Sequence, residues 1–242
     1  RGPEGKGHEA WRSEELYEIV RELAPNVVLS DRLDLTNGWD VKTPEQYQPR
    51  EWFTVDGKPV VWEACQTFSG SWGYHRDEAS WKSPEMLVQM LVDSVSKGGN
   101  LLLNVGPTGR GEFDERALNR LQSMGEWMYR HDRSIYGCTQ APPEFRTPQD
   151  CRLTYNPETN RLYLHLFAWP FKHVHLVGEA FTQRVEYAQL LNDASEIPLR
   201  DSTRGIETAG ASPEGGNEPT LTLTVPVEQP SVLVPVIEIF LR

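Results

Sequence analysis

The sequence predicts an α/β layered or barrel fold in its first part and an antiparallel β-sandwich in its second. Between residues 60 and 105, a short apolar run, an amphipathic helix and a strand apolar on both faces follow one another, as in a β-α-β unit of a parallel sheet. After about residue 150 the helical periodicity is lost, and short apolar segments recur between turn residues. The predicted boundary separates residues 1–140 from residues 141–242.

Capping residues set the predicted helix boundaries in the first part. Ser83 can accept hydrogen bonds at a helix N-terminus, Pro84 suits a first turn, and Gly98 can take the left-handed conformation that ends a helix. The predicted elements are a helix over 13–23, strands over 26–32 and 60–65, a helix over 83–97, a strand over 100–105 and a helix over 114–131. A long irregular connection over 33–59 remains, and such loops are usually functional.

The second part is expected to contain strands only. They are predicted over 162–167, 174–177, 185–188, 221–225 and 237–240. Asn, Pro and Thr over 156–160 predict a hairpin turn, and the glycine-rich stretch over 209–219 predicts a hairpin tip. Short strands at this spacing are typical of a sandwich.

Composition excludes several classes of function. The net charge of −11 argues against a nucleic-acid partner, because phosphate binding needs a basic surface. No apolar run approaches the length of a membrane span, so no membrane partner is expected. The cysteines, Cys65, Cys138 and Cys151, show neither CxxC pairing nor metal-ligand spacing. We therefore expect neither a metal nor a cofactor.

Two carboxylates of the first part are candidates for chemistry. Glu45, in the irregular connection, is a candidate general acid/base; the alternative is a helix start, with Thr43 as cap and Pro44 in the first turn. Glu63, at the end of the strand predicted over 60–65, is the second candidate; its alternative is a structural carboxylate paired with an arginine. Loops after the carboxyl ends of parallel strands carry the chemistry of such folds.

Aromatic residues and one arginine surround these candidates in the sequence. Four tryptophans fall in the predicted loops between residues 33 and 82: Trp39, Trp52, Trp72 and Trp81. Buried aromatic residues are the ordinary explanation for any one of them, but four beside carboxylates indicate a sugar-stacking pocket. Arg32 ends the strand predicted over 26–32, where a guanidinium can hold a carboxylate or a sugar oxygen; the alternative is a local ion pair with Asp31.

Four segments together resemble glycoside hydrolase family 29, the α-L-fucosidases. They are WEACQTFSGSWGY, DSVSKGGNLLLNVGPTGRG, SDR and WD-VKTPEQY. The resemblance implies a retaining enzyme that removes terminal α-L-fucose from oligosaccharides or glycoconjugates. It also implies a partial (β/α)8-like barrel followed by an all-β sandwich.

The resemblance implies roles for three residues. Glu45 falls where the family has its acid/base glutamate. Arg32 falls on a site arginine, although Ser30 replaces the family's asparagine before it. Trp72 matches an aromatic residue lining the fucose pocket. We add Glu63 as a candidate substrate-binding residue on its position alone.

One departure from the family concerns the nucleophile. The family's nucleophilic aspartate ends the fourth barrel strand, and residues 1–7 resemble the segment after that strand. The sequence therefore leaves three hypotheses. A second chain or copy completes the barrel and supplies the nucleophile; an aspartate of this chain, Asp31 or Asp40, replaces it; or the chain is a non-catalytic carbohydrate-binding or assembly fragment.

Overall fold

The structure is a computed structural model that describes residues 7–201 and 218–242. Its α-helices are α1 (His8–Trp11), α2 (Ser13–Leu23), α3 (Pro84–Val95), α4 (Glu115–His131) and α5 (Glu179–Arg184). Its strands are β1 (Thr54–Val55), β2 (Lys58–Pro59), β3 (Glu63–Thr67), β4 (Asn100–Asn104), β5 (Thr139–Gln140), β6 (Cys151–Asn156), β7 (Arg161–Leu166), β8 (His173–Val177), β9 (Val185–Leu190), β10 (Leu199–Asp201), β11 (Thr220–Thr224) and β12 (Val236–Leu241). The segment over 1–6 and most of the predicted tip over 209–219 lie outside the described residues.

Strands β3 and β4 form the predicted β-α-β unit. They pair in parallel from Glu63 opposite Asn100 to Thr67 opposite Asn104, and α3 connects them. The helix begins as predicted, because the Ser83 hydroxyl accepts a hydrogen bond from the Met86 amide at 3.1 Å.

A turn of two glycines makes the connection from α3 to β4 short. Gly98 has φ +72°, a conformation that favours glycine. At Gly99 an added Cβ would lie 2.2 Å from the ring of Trp62, which is fully buried. The indole of Trp62 also donates to the Lys97 carbonyl at 3.2 Å, so it cannot easily move aside. The turn is therefore built on close contact between backbone and indole.

We predict that Gly99→Ala lowers the free energy of unfolding by about 1–3 kcal/mol, because the new methyl group overpacks against Trp62. The matched control is Gly125→Ala on α4, where an added Cβ meets nothing within 4 Å. There the substitution should raise the free energy of unfolding by about 0.5–1 kcal/mol through helix propensity. Urea unfolding measures both, and equal effects would show that the steric account is wrong.

The strand predicted over 26–32 is wrong for most of its length. Only Ser30 forms a bridge, parallel to Val41, and Asp31–Leu33 forms a turn of 3₁₀-helix. The Leu29 amide donates to the carboxylate of Asp40 rather than to a neighbouring strand. Val28 is 70% exposed, so no packing in the described part stabilises a regular strand here.

The connection over 33–59 is more ordered than predicted. Residues 42–45 lie alongside the start of β3 and form parallel bridges to Trp62 and to Cys65, and Gln46 then turns away with φ 60°. Strands β1 and β2 form a hairpin whose turn residues, Asp56 and Gly57, both have positive φ, of 52° and 74°. An Asp-Gly pair with this geometry is typical of a two-residue hairpin turn, and this hairpin was not predicted.

Beyond residue 138, two antiparallel sheets share one apolar core. One has the strand order β10-β11-β8 and the other β5-β6-β7-β12-β9. Fully buried side chains such as Leu164, Leu223 and Ile237 fill the space between them. The predicted turn over 156–160 joins β6 to β7, where the Asn156 side chain accepts two backbone amide hydrogen bonds. Strand β6 and helix α5 were not predicted.

At the level of fold class, the protein is a mixed α/β chain whose sheets are mostly antiparallel. Among the described residues, no helix is long and apolar enough to cross a membrane. The described parallel sheet has two strands. The partial (β/α)8-like barrel and the boundary between residues 140 and 141 stay predictions.

Candidate active site

Residues 41–46 are the backbone support of the candidate site. The Lys42 amide donates to the Val61 carbonyl at 3.0 Å, and the Gln46 amide donates to the Cys65 carbonyl at 2.9 Å. This segment therefore runs parallel to β3, which pairs in parallel with β4. The carboxyl ends of all three meet at one edge, where α/β folds place their binding residues.

At this edge the structure brings together two of the predicted site residues. Arg32 Nη1 lies 2.5 Å from Glu45 Oε2 in an ion pair whose two side chains are about half exposed. The same guanidinium donates from Nε to the Thr43 hydroxyl at 2.7 Å and from Nη2 to the Thr43 carbonyl at 3.3 Å. These contacts fix the planar guanidinium, which in turn holds Glu45 at a surface that a ligand can reach.

Asp31 belongs to the same cluster through Thr43. Its Oδ1 accepts hydrogen bonds from the Thr43 hydroxyl at 2.6 Å and the Thr43 amide at 3.1 Å, and Lys42 Nζ lies 3.4 Å from Oδ2. Partial burial alone would raise the pKa of Asp31, but the Thr43 hydrogen bond and the Lys42 charge bring that pKa below its ordinary value. Asp31 is therefore a carboxylate at neutral pH with both oxygens engaged.

Asp40 makes contacts outside the cluster of Asp31, Arg32, Thr43 and Glu45. Its Oδ2 accepts from Arg21 Nη2 at 2.6 Å and from the Leu29 amide at 2.8 Å. The Arg21 hydrogen bond, with that from Leu29, lowers the pKa of Asp40. The carboxylate ties α2 to the segment before Asp31. It does not join the Arg32–Glu45 pair.

The structure places Glu63 differently from the prediction. It begins β3, because the strand extends to Thr67, and it lines a cavity of about 480 Å³ together with Asn100 and Tyr136. Glu45 bridges Cys65, two residues further along β3, or about 7 Å at the usual rise. Among the described residues Glu63 forms no ion pair, so the arginine-paired alternative is also wrong. Its substrate contact stays a prediction.

A thiol lies between the two candidate glutamates. Burial raises the pKa of Cys65, with smaller contributions from Arg32, which lowers it, and from Glu45 and Glu63, which raise it. All three charges therefore act on one half-buried side chain of β3. The thiol stays protonated at neutral pH, which suits a wall of the site better than a nucleophile.

A cavity of about 690 Å³ lies beside Arg32. Asp31, Lys42 and Thr43 form its polar side, and Trp39 forms part of its apolar side. The Lys42 ammonium lies 4.1 Å from the centre of the Trp39 ring, which fixes that indole. A cavity with charged groups and an aromatic wall has the size and chemistry of a small-ligand site.

Trp72 lies in the loop between β3 and α3, as predicted, and is 41% exposed. Its carbonyl accepts a hydrogen bond from Asn104 Nδ2 at 2.6 Å, which ties the loop to the carboxyl end of β4. At Gly106 an added Cβ would lie 2.5 Å from the backbone of Gly73. The core alternative for Trp72 is therefore wrong, since its ring is available at the surface.

Glu78 organises the same loop. It accepts hydrogen bonds from the Ser80 hydroxyl at 2.6 Å, the Ser80 amide at 2.8 Å and the Ser71 hydroxyl at 2.8 Å. These bonds, led by that of the Ser80 hydroxyl, lower the pKa of Glu78 to about 2. Arg116 on α4 donates to the Glu78 carbonyl at 3.0 Å and stacks over Trp81. The loop carrying Trp72 is thus held at both ends.

Thr43 and Asn104 are the site residues that sequence reasoning missed. The helix-start interpretation of 43–45 is wrong, because the Thr43 hydroxyl donates to Asp31 instead of capping a helix. The sequence feature that could have indicated Thr43 was the Ser-Asp-Arg triplet over 30–32, because its two charged residues need a polar partner. Asn104 ends β4 directly after three leucines, and that position at the carboxyl end of a parallel strand could have indicated it. Among the described residues, no group of three or more His, Cys, Asp or Glu side chains could hold a metal ion.

Comparison with known proteins shows the family of the chain. The family model described as alpha-L-fucosidase matches residues 3–133, more than half of the chain. The chain belongs to the α-L-fucosidase family. The matched region contains Arg32, Glu45, Glu63 and Trp72, and so includes every candidate site residue.

Individual fucosidases extend this similarity. The plasma alpha-L-fucosidase of Rattus norvegicus is 34% identical over 161 residues, which are 65% of this chain and 33% of the relative. The solved alpha-L-fucosidase isoenzyme 1 of Paenibacillus thiaminolyticus is 32% identical with a TM-score of 0.85, covering 100% of this chain and 56% of that one. A family 29 fucosidase of Bacteroides thetaiotaomicron, trapped as a covalent intermediate with 2-fluoro-fucosyl fluoride, is 25% identical with a TM-score of 0.74, covering 96% and 53%.

These coverages show a difference in length. The chain spans about a third of the curated relative and about half of the two solved fucosidases. The similarity to the Paenibacillus enzyme nevertheless extends over the whole chain, including the two antiparallel sheets.

Proposed function

We propose that this chain is the part of a retaining exo-α-L-fucosidase that supplies the acid/base, Glu45. The observation that carries the proposal is the Arg32–Glu45 ion pair. Thr43 holds the guanidinium of Arg32, and the pair lies where the carboxyl ends of β3, β4 and the segment containing Glu45 meet. Both residues fall within the part of the chain that the family model matches. Its substrate would be a terminal α-L-fucoside of an oligosaccharide or glycoconjugate. The named fucosidase relatives support that substrate class.

The proposed reaction has two steps. An aspartate nucleophile attacks the anomeric carbon of fucose while Glu45 donates a proton to the departing glycosidic oxygen, so that a fucosyl ester forms and the aglycone leaves. Glu45 then accepts a proton from a water molecule that attacks the anomeric carbon. The bond to the aspartate breaks, the aspartate carboxylate is regenerated, and fucose is released with the original anomeric configuration. Such enzymes hold the two carboxyl groups about 5 Å apart. The trapped intermediate of the Bacteroides relative supports this scheme.

Arg32 and Trp72 are proposed as binding residues around Glu45. The guanidinium of Arg32 has donors that can serve both the Glu45 carboxylate and a sugar oxygen. The exposed ring of Trp72 offers an apolar face to the C–H face or methyl group of fucose.

A second chain or copy is proposed to complete a partial (β/α)8-like barrel and to bring the nucleophile. Exposed apolar side chains support this proposal, because surfaces of this kind are usually covered. They are Leu16, Ile19 and Leu23 on α2, Val28 after it, and Leu102 on β4. Strand β4 also lies at the edge of its described sheet, and uncovered edges are costly.

The state of Asp31 favours an alternative function. Its two oxygens are engaged by Thr43 and Lys42, and Asp40 is engaged by Arg21, so neither aspartate is poised to attack. Without an added nucleophile, the chain would be a non-catalytic carbohydrate-binding or assembly fragment that keeps Arg32 and Trp72.

Hydrolysis of 4-nitrophenyl α-L-fucoside separates these functions, with 4-nitrophenyl β-D-galactoside as control. The preparation must first be shown by intact mass to be one polypeptide. We expect no fucosidase activity from the chain alone and activity once a polypeptide supplying the amino-terminal half is added. Hydrolysis by the single chain would place the nucleophile within it, with Asp31→Asn and Asp40→Asn as the deciding variants. No activity in either case would support the binding-fragment alternative.

A further inference from the structure

The sandwich region contains a cavity of its own, remote in sequence from the Arg32–Glu45 pair. It has a volume of about 440 Å³ and lies where the end of β7 meets strand β8. The side chains that matter are Arg146, Gln149, Asp150, Trp169, His173 and His175. The cavity is large enough for one sugar ring with room for water.

Trp169 provides a fixed aromatic wall. Its indole Nε1 donates to the Pro226 carbonyl at 3.2 Å, and part of the side chain packs against the apolar core of the sandwich. The ring is therefore held in place before any ligand arrives, and little conformational entropy is lost when a ligand stacks on it.

The polar wall combines a carboxylate with imidazoles. Among the described residues the Asp150 carboxylate has no ion-pair partner, while the backbone carbonyl of Asp150 is fixed by the Phe167 amide at 2.9 Å. His175 Nδ1 shares a hydrogen bond with the Thr222 hydroxyl at 3.0 Å, so Nε2 is the ring nitrogen that this contact does not use. Burial and the neighbouring His173 lower the pKa of His175, so its ring is neutral at pH 7. Carboxylate and neutral imidazole suit hydroxyl groups.

The charge of the cavity restricts the ligand further. Arg146 is the one lysine or arginine among its described lining residues, and Glu218 pairs with it. Among those lining residues no unpaired lysine or arginine is then left for a phosphate or sulfate, while the polar wall disfavours a lipid. A neutral ring rich in hydroxyl groups fits an aromatic wall facing a carboxylate.

We propose that this cavity binds a neutral pyranose sugar, stacked on Trp169 and hydrogen-bonded by Asp150 and His175. The proposal is independent of hydrolysis at Glu45. A glycan bound here through one of its sugars would stay attached to the protein. The effective concentration of the other sugars of that glycan near the protein would then increase.

The test is a nuclear magnetic resonance titration of the full ¹⁵N-labelled chain with L-fucose, D-galactose and N-acetyl-D-glucosamine. We expect at least one sugar to shift the indole N–H signal of Trp169 and the backbone amide signals of Thr147, Gln149 and Asp150 saturably in the millimolar range. Asp150→Ala should weaken that binding about tenfold or more, as expected for losing hydrogen bonds to a charged group. Asp77→Ala, at an exposed acid outside the cavity, should leave it unchanged.

Two further variants distinguish the sites. Trp72→Ala should leave the Trp169 signal response intact. Trp169→Phe removes that indole signal, and it should weaken the sugar-dependent shifts of the backbone amides of Gln149 and Asp150 while the remaining spectrum stays that of the folded chain. The proposal is overturned if no sugar shifts Trp169, if Asp150→Ala binds as the unaltered chain does, or if adenosine binds better than every sugar. None of these outcomes depends on fucosidase activity.

Discussion

Glu45→Gln is expected to slow hydrolysis of fucosides with poor leaving groups by about 10²–10⁴-fold, the usual contribution of a general acid. The comparison uses the assembly that hydrolyses fucosides. Natural linkages need a proton on the departing oxygen, whereas a nitrophenolate leaves without one. The second-order rate constant for hydrolysis should therefore fall far less with a nitrophenyl fucoside than with an oligosaccharide. Glutamine keeps the shape of Glu45, but its amide can neither donate a proton to the departing oxygen nor accept one from water.

Azide gives this prediction a second measurement. As a small anion it attacks the fucosyl ester without a general base, so it should restore part of the turnover rate of the Glu45→Gln variant on a nitrophenyl fucoside and form fucosyl azide. The matched control is Glu63→Gln, on the neighbouring strand but in a separate cavity. If Glu63→Gln shows the leaving-group dependence and azide rescue instead, the two roles are reversed.

Asp93→Asn is expected to lower the free energy of unfolding by about 2–3 kcal/mol, because it removes one partner of a largely buried charge cluster. Asp93 on α3 is 9% exposed; its carboxylate lies 2.6 Å from Lys97 Nζ and 2.6 Å from Arg152 Nε on β6. The substitution keeps the volume and leaves two cations facing each other. Arg152 is partly exposed, and water there limits the loss.

Asp77→Asn is the control for this measurement. Asp77 pairs with Arg76 at the surface, where both side chains are more than two-thirds exposed, and such pairs contribute little. Urea unfolding should show no measurable change for Asp77→Asn. An equal, small effect of both substitutions would show that Asp93 does not hold α3 against β6.

The sequence predicted those elements whose signals are local. Helix α3 has its cap at Ser83 and its stop at Gly98, and α4 has its cap at Asp114, which accepts from the Arg116 amide at 2.8 Å. These signals depend only on neighbouring residues, so they can be recognised without knowing the fold. The apolar strand β4 was predicted for the same reason.

The elements that were missed depend on distant partners. Residues 42–45 contain a proline and polar side chains, and they lie alongside β3 because residues 61–65 supply their hydrogen-bond partners. The strand predicted over 26–32 fails for the converse reason, since its apolar residues find no packing partner in the described part. Helix α5 has only six residues, too few for a helical period to be visible.

The residues of the candidate site also divide into those that were predicted and those that were missed. Arg32, Glu45 and Trp72 could be named from the sequence because the family resemblance marks them. Thr43, which joins Arg32 to Asp31, could not, because its role follows from a hydrogen-bond geometry between residues eleven and twelve positions apart. The place of Glu63 was wrong because the end of β3 was set two residues too early.

The most direct test of the acid/base role of Glu45 is to label the nucleophile with 2-fluoro-fucosyl fluoride and locate the sugar by peptide mass spectrometry. The preparation must be one that hydrolyses 4-nitrophenyl α-L-fucoside. We expect a fucosyl ester on an aspartate of the polypeptide completing the barrel, with no label on the peptide that contains Glu45. A fucosyl group on Glu45 would make it the nucleophile and show that its acid/base assignment is wrong.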